Sequence, residues 1–276
     1  MIDKNYYNYF MLPQSIEGIG YIYPVKLEDY NEFKELAVKY IVVGRKWLTN
    51  ILKYPKEEYI LDFFVKNAFL FESLKLEEQD IDTDTIKALE ENNAFRHDLS
   101  EIIKILEITL KEKVEFELLG ITDEGVMDYR FKIGDSENYI TKFNFEEYRT
   151  IVMEQNLLFE PLTSPSEKGN EVIQNAIRVL SKNGVEQDII SVCSSVSVFK
   201  GVSDKELCNY TYYRLMCDFE TVNRLNNNLI QAMFMSQGSE DAKLTYLGEK
   251  FNVDNNPYSN LIKRAKDNQL DKRLQS

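Results

Sequence analysis

The sequence predicts an α+β protein that is predominantly helical, with a small antiparallel three-stranded meander at about residues 114–143, flanked by helices, and a helical C-terminal part. Two observations carry this prediction. Over most of the chain, apolar residues recur at steps of three and four, which is typical of helices with one buried face. Between residues 114 and 143 the step shortens to two, which is typical of strands with one solvated face.

The N-terminal part, residues 1–157, is expected to open with an extended segment and three helices. Aromatic and β-branched residues at 18–25 predict the extended segment. One apolar stripe runs from residue 28 to about 52 and predicts a single helix. Pro55 fits the first turn of the next helix, because proline lacks the amide that this turn leaves unbonded. Helical periodicity returns at 86–112.

The meander and the helix after it complete the N-terminal part. Alternating residues at 114–118 and 127–133 predict two strands, and turn residues before 139–143 predict the third. Asn144 is placed to cap a helix that continues to about Asn156, because asparagine side chains accept hydrogen bonds from the first amides of a helix. A sheet of this size needs helices against its apolar face.

The C-terminal part, residues 167–251, is expected to be helical, and a proline-bearing loop at 158–166 is the predicted boundary between the two parts. Its three helices are expected at 167–182, 185–199 and 203–236. The last begins with a capping box, Ser203 with Glu206. The remaining tail, residues 252–276, has few apolar anchors and is expected to be loosely ordered.

The charge balance disfavours two classes of partner. The chain has 33 basic and 46 acidic residues, a net charge of −13, so its average field repels nucleic-acid phosphates and anionic lipid heads. No apolar stretch is long enough to cross a bilayer, and residues 1–10 do not follow a signal-peptide pattern. We therefore expect no nucleic-acid partner, no membrane partner and a cytoplasmic location.

The residues that usually carry chemistry form no recognisable site. His97 is the single histidine and is expected on the surface near a helix start, and the three cysteines, Cys193, Cys208 and Cys217, are expected to be buried thiols. The spacing of the acids between Asp80 and Glu91 is similar to that of a calcium loop, but Thr85 stands where the sharp turn needs glycine. We expect no catalytic residue, no metal and no cofactor.

The last predicted helix offers a candidate partner-binding surface, because it carries one long apolar stripe. The stripe and the tyrosine before it are the candidate partner-binding residues: Tyr212, Leu215, Phe219, Val222, Leu225, Leu229 and Met233. A sustained stripe of this kind favours packing against other helices. Those helices can belong to the chain itself or to a partner, which leaves open an oligomer of this chain.

Three stretches together resemble a known family. They are GYIYPVKLEDYNEF at 20–33, followed by Tyr40-Ile41, then FNFEEYRTIVMEQNLLFEP at 143–161, and YTYYRLMCDF at 210–219. In order and spacing they resemble tail assembly proteins of phages and prophages of Gram-positive bacteria. The resemblance implies a protein that acts like a chaperone on the tape measure protein while the tail is built in the cytoplasm of the bacterial host. It brings no catalytic or binding residues with it.

Our leading hypothesis is therefore a non-enzymatic phage tail assembly factor that binds helical segments of the tape measure protein. The alternatives are a structural component retained in the phage tail and an acidic DNA mimic that inhibits a host enzyme. A mimic needs carboxylates aligned on one face, whereas here acids are mixed with lysines, as in residues 53–58. An enzyme comes last, for want of a recognisable site.

Overall fold

The predicted fold class is confirmed: the chain is about 55% helical, with a small antiparallel sheet of three strands. The computed structural model describes residues 4–53, 55, 58–76, 97–122, 127–183 and 188–249. In these ranges the elements are α1 Lys4–Tyr9, β1 Gln14–Ile16, β2 Gly20–Ile22, α2 Tyr30–Tyr40, α3 Arg45–Ile51, α4 Ile60–Leu76, α5 Leu99–Leu110, β3 Val114–Ile121, β4 Met127–Ile133, β5 Asn138–Ile140, α6 Phe145–Gln155, α7 Glu167–Asn183, α8 Ile189–Lys200, α9 Asp204–Cys208 and α10 Tyr212–Ser236.

The predicted meander is present, in the order β3-β4-β5 with both pairs antiparallel. Phe131 on the central strand pairs with Phe116 on one side and Ile140 on the other. It is fully buried, as the period-two pattern requires for its face. The structure also has a two-stranded antiparallel pair that the sequence did not predict. Its strand β2 lies in the predicted extended segment, but its partner β1 has only three residues, too few to show an alternating pattern.

The first core lies between the sheet and helices α2, α4, α5 and α6. Its largest fully buried side chains include Phe33 of α2, Phe64 of α4, Phe131 of β4 and Tyr148 of α6. The Thr109 and Tyr148 hydroxyls, 2.6 Å apart, bond α5 to α6 inside this core. Burial raises the pKa of the Tyr148 phenol.

The helix predicted for residues 28–52 is wrong in one respect, because the structure divides it into α2 and α3. The Ile41 carbonyl, at the end of α2, accepts a hydrogen bond of 2.8 Å from Nη1 of Arg149 in α6. The guanidinium also pairs with Glu146, 3.0 Å away, and with Glu160. Arg149 is itself buried. A tertiary contact therefore ends α2, and the apolar stripe alone cannot reveal it.

Gly44, between the two helices, lies against the Glu160 side chain, and its backbone angles do not call for glycine. A methyl group at this position would overlap the Glu160 carboxylate that Arg149 holds. We expect Gly44→Ala to lower the free energy of unfolding by about 1–2 kcal/mol. In a Glu160→Ala background the same change is expected to cost less than about 0.5 kcal/mol, because the obstacle is gone. Urea denaturation of the four chains measures this cycle, and equal costs in both backgrounds would refute the steric explanation.

Two other helix boundaries differ from the prediction. Pro55 lies outside any helix, and α4 begins at Ile60. Asn144 stands at the N-cap of α6, but its side chain makes no capping bond there and instead accepts from the Thr141 amide, 2.8 Å away. For the helix predicted at 86–112 the structure describes residues 97–112, which contain α5; residues 86–96, like the tail at 252–276, lie outside the described residues.

The long helix predicted for 203–236 is also divided, into α9 and α10. Its capping box is confirmed: Glu206 and Ser203 bond each other's backbone amides. The division comes from a contact with the N-terminal part, where Lys26 and Thr211 form an antiparallel bridge and the Leu27 amide donates to the Tyr210 carbonyl at 2.8 Å. Thr211 then caps α10 through its side chain.

A second core joins the C-terminal helices α8, α9 and α10. Its buried members are Val192, Val196, Leu207, Tyr210 and Leu215. Leu27 and Ile189 pack against both cores, so the two share a boundary. The domain division at residues 158–166 stays a prediction.

Candidate partner-binding surface

The N-terminal end of α10 is fixed to the first core by stacked rings. The rings of Tyr212 and Tyr30 lie 4.8 Å apart at 15°. Desolvation raises the pKa of both phenols, and the Tyr212 phenol adds to the effect on Tyr30. Tyr212, one of the predicted partner-binding residues, is therefore engaged within the chain.

The first half of the apolar stripe packs within the chain, where Leu215 and Phe219 join the second core with residues of α8. Leu215 is fully buried and Val222 is 5% exposed. Phe219 is partly buried against the second core. Leu215 and Val222 therefore expose little area to another molecule, whereas Phe219 is only partly buried. Their assignment to a partner-binding surface stays a prediction.

A buried charge on another side of α10 fixes the rotation of the helix about its axis. The Asp218 carboxylate accepts from Lys200 Nζ at 2.7 Å and from the Tyr9 hydroxyl at 3.4 Å. Desolvation pushes the pKa of Lys200 down, but its bond to Asp218 outweighs this and leaves the pKa raised. Burial, with the charge of Asp218, raises the pKa of Tyr9. Helices α1, α8 and α10 are thereby joined at one point.

The second half of the apolar stripe is exposed to solvent. Leu225 is half-buried, whereas Leu229 and Met233 are each 64% exposed. Ile230 and Phe234 beside them are exposed by about half. Residues at these spacings are neighbours on a helix surface. We call the four side chains Leu229, Ile230, Met233 and Phe234 the distal surface.

The chain after α10 returns along a different side of the helix. Asn228 exchanges two hydrogen bonds with the backbone of Thr245, at 2.7 and 2.8 Å, and Arg224 donates to the Glu249 carbonyl at 2.7 Å. Arg224 and Asn228 are one turn apart and define a side of α10 that the distal surface does not share. Within the described residues, the distal surface is therefore left open to other molecules.

Ile230 and Phe234 were not among the predicted partner-binding residues. They lie beside the stripe on the helix surface and do not fall on the steps of three and four residues that define it. A second signal in the sequence marks them: residues 225–239 contain no charged side chain, in a chain of which 29% is charged. An exposed helix that lacks charge is unusual, because solvated helix faces are normally rich in charged residues.

His97 is buried, so its predicted surface position is wrong; it lies among the rings of Tyr40, Phe63 and Phe64, with centroids 4.9–5.4 Å away. Lone histidines are often exposed, but here the aromatic rings of α2 and α4 enclose the imidazole.

The prediction of three buried thiols is wrong for Cys208, which is exposed, and for Cys193, which is half-buried, whereas Cys217 is buried. Among the described residues, no cluster of three or more histidine, cysteine or acidic side chains could hold a metal ion. The calcium-loop acids between Asp80 and Glu91 lie outside the described residues. None of the described helices is long and apolar enough to cross a membrane.

A cavity of about 520 Å³ lies between α1 and the end of α6. Charged groups that line it are engaged in ion pairs within the chain: Lys4 pairs with Glu154 at 2.9 Å, and Glu160 pairs with Arg149. Met153, Leu158 and Tyr213 supply apolar lining. The distal surface is therefore the better candidate for function.

Neither a protein family, nor a curated protein, nor a solved structure matches the chain. The three stretches that carry the resemblance described above contact one another. Asn156 accepts from the Val25 amide at 3.2 Å, and Gln155 donates to the Ile22 carbonyl at 3.0 Å. The Lys26–Thr211 bridge joins the first stretch to the third. These residues form the junction from which α10 extends.

Proposed function

We propose that this chain is a non-enzymatic phage tail assembly factor that binds helical segments of the tape measure protein and acts on them like a chaperone, in the cytoplasm of the bacterial host. One observation carries the proposal: the apolar stripe of α10 continues past the chain's own core as an uncovered surface. The resemblance of the three stretches named above supplies the identity of the partner.

The distal surface suits an apolar helix. A partner helix can lay its own apolar stripe against it, with anchors at helical spacing. Met233 and Phe234 offer adaptable and aromatic contact area, which helps a surface to accept more than one segment of a long partner. The net charge of −13 on the rest of the chain would keep such a complex in solution.

Co-expression with the tape measure protein of the same phage or prophage tests the proposal. We expect the intact chain to capture the tape measure protein and to raise its soluble fraction. Met233→Glu is expected to reduce capture at least about tenfold, because it buries a charge without a partner. Val198→Glu is the matched control: Val198 is 83% exposed on α8 and is not part of the distal surface.

The proposal fails if the intact chain neither captures the tape measure protein nor improves its solubility. It fails in its choice of surface if the two variants lose capture equally. Mass spectrometry of purified particles separates an assembly factor, which is absent from them, from a structural component retained in the tail.

A further inference from the structure

The charge distribution around the distal surface sets a condition on what can cover it. Each molecule carries a net charge of −13, so two copies repel each other on average. Residues 225–239 carry no charge, and they include the whole distal surface. A second copy can approach there without placing like charges in contact, and a surface that meets itself across a twofold axis needs no complementary charge.

The area of the surface is sufficient for a weak dimer. Leu229, Ile230, Met233 and Phe234 are each about half exposed or more. Side chains of this size expose on the order of 100 Å² each at that fraction, which gives about 400 Å² for each copy. Two copies together reach about 800 Å², a size typical of weak and transient contacts.

We propose that the free chain forms a twofold dimer in which the distal surface of one copy packs against the distal surface of the other. The two α10 ends cross as a helix pair, and Met233 lies in the contact. This inference goes beyond the proposed function and does not depend on the tape measure protein. It adds a consequence: a second copy and a helical partner compete for the same side chains.

The absence of charge gives the dimer a characteristic salt dependence. Added salt screens the net repulsion between the copies and leaves the apolar contact intact. The dimer is therefore expected to tighten as salt rises from about 50 to about 500 mM. An interface held by ion pairs would weaken over the same range.

Sedimentation equilibrium of the full chain, alone, tests the proposal from about 1 to about 100 μM. The intact chain is expected to pass from a mass of 32.4 kDa to twice that value. Met233→Glu is expected to weaken the dimer at least about tenfold, and Val198→Glu to leave it unchanged. Circular dichroism and a thermal melt verify that both variants fold.

Leu229→Lys guards against a folding defect in the first variant, because it introduces the opposite charge on the same surface and is also expected to yield monomers. Footprinting by methionine oxidation adds a readout without mutation: Met233 should become protected as the concentration rises.

A chain that stays monomeric over the whole range overturns the proposal. A dimer that survives both Met233→Glu and Leu229→Lys does so too, because its interface then lies elsewhere. Protection of Met233 in the monomer would show that the chain covers the surface itself, and this result also contradicts the proposal. Because no tape measure protein is present, a failure to dimerise leaves the proposed function untouched, whereas protection of Met233 in the monomer would contradict both proposals.

Discussion

Replacing Phe64 with alanine is expected to lower the free energy of unfolding by about 4 kcal/mol. Phe64 is fully buried in α4. Its ring contacts those of Tyr40, His97 and Phe145, with centroids 4.9–6.2 Å away, so it joins α2, α4, the start of α5 and α6. Truncation removes this apolar contact and leaves a cavity that the surrounding helices can only partly fill.

Urea denaturation followed by tryptophan fluorescence measures this change. Trp47 is the single tryptophan and is partly buried against the first core, so its emission reports on that core. Phe143→Ala is the control, because Phe143 is 71% exposed, and its loss is expected to cost less than about 1 kcal/mol. Similar midpoints for the two variants would show that Phe64 does not hold the core together.

Arg149→Ala is expected to cost about 3 kcal/mol. The change leaves the Ile41 carbonyl without its donor and leaves Glu146 and Glu160 without their shared cation. The two carboxylates are 40% and 32% exposed, so water compensates part of the loss, and we place the cost at the lower end for a buried charge.

Two further variants separate the contributions of this arginine. Arg149→Lys keeps the charge but lacks the planar group that reaches three acceptors, so it should recover less than half of the loss. Glu146→Ala removes one half-exposed partner and should cost less than about 1 kcal/mol. If Arg149→Ala and Glu146→Ala have equal denaturation midpoints, the bond to Ile41 contributes little and our explanation of the end of α2 is wrong.

Local signals in the sequence predict most of the helices and the meander. The alternation at 127–133 and the capping box at Ser203 act within a few residues, and both are confirmed. The helix divisions near Ile41 and Thr211 escape prediction, because their causes are Arg149 and Lys26, which lie 108 and 185 positions away along the chain. Hydrophobic periodicity contains no information about such contacts.

Only part of the candidate surface can be predicted from the sequence, again because a contact with another helix decides the rest. The stripe from Leu215 to Met233 is visible in the sequence, but which half is free depends on how far α8 extends beside it. That helix has only 12 residues, against 25 in α10, so its cover ends before Leu229. The uncharged run at 225–239 is the signal that identifies the free half without a structure.

The unequal lengths of α8 and α10 have a mechanical consequence. About 14 residues of α10 extend beyond Val222, and at about 1.5 Å per residue they form a lever roughly 20 Å long. Near the base of this segment, the Asp218 carboxylate is hydrogen-bonded to Lys200 of α8 and Tyr9 of α1. A force on the end of α10 therefore acts on the bonds that join Asp218 to Lys200 in α8 and to Tyr9 in α1.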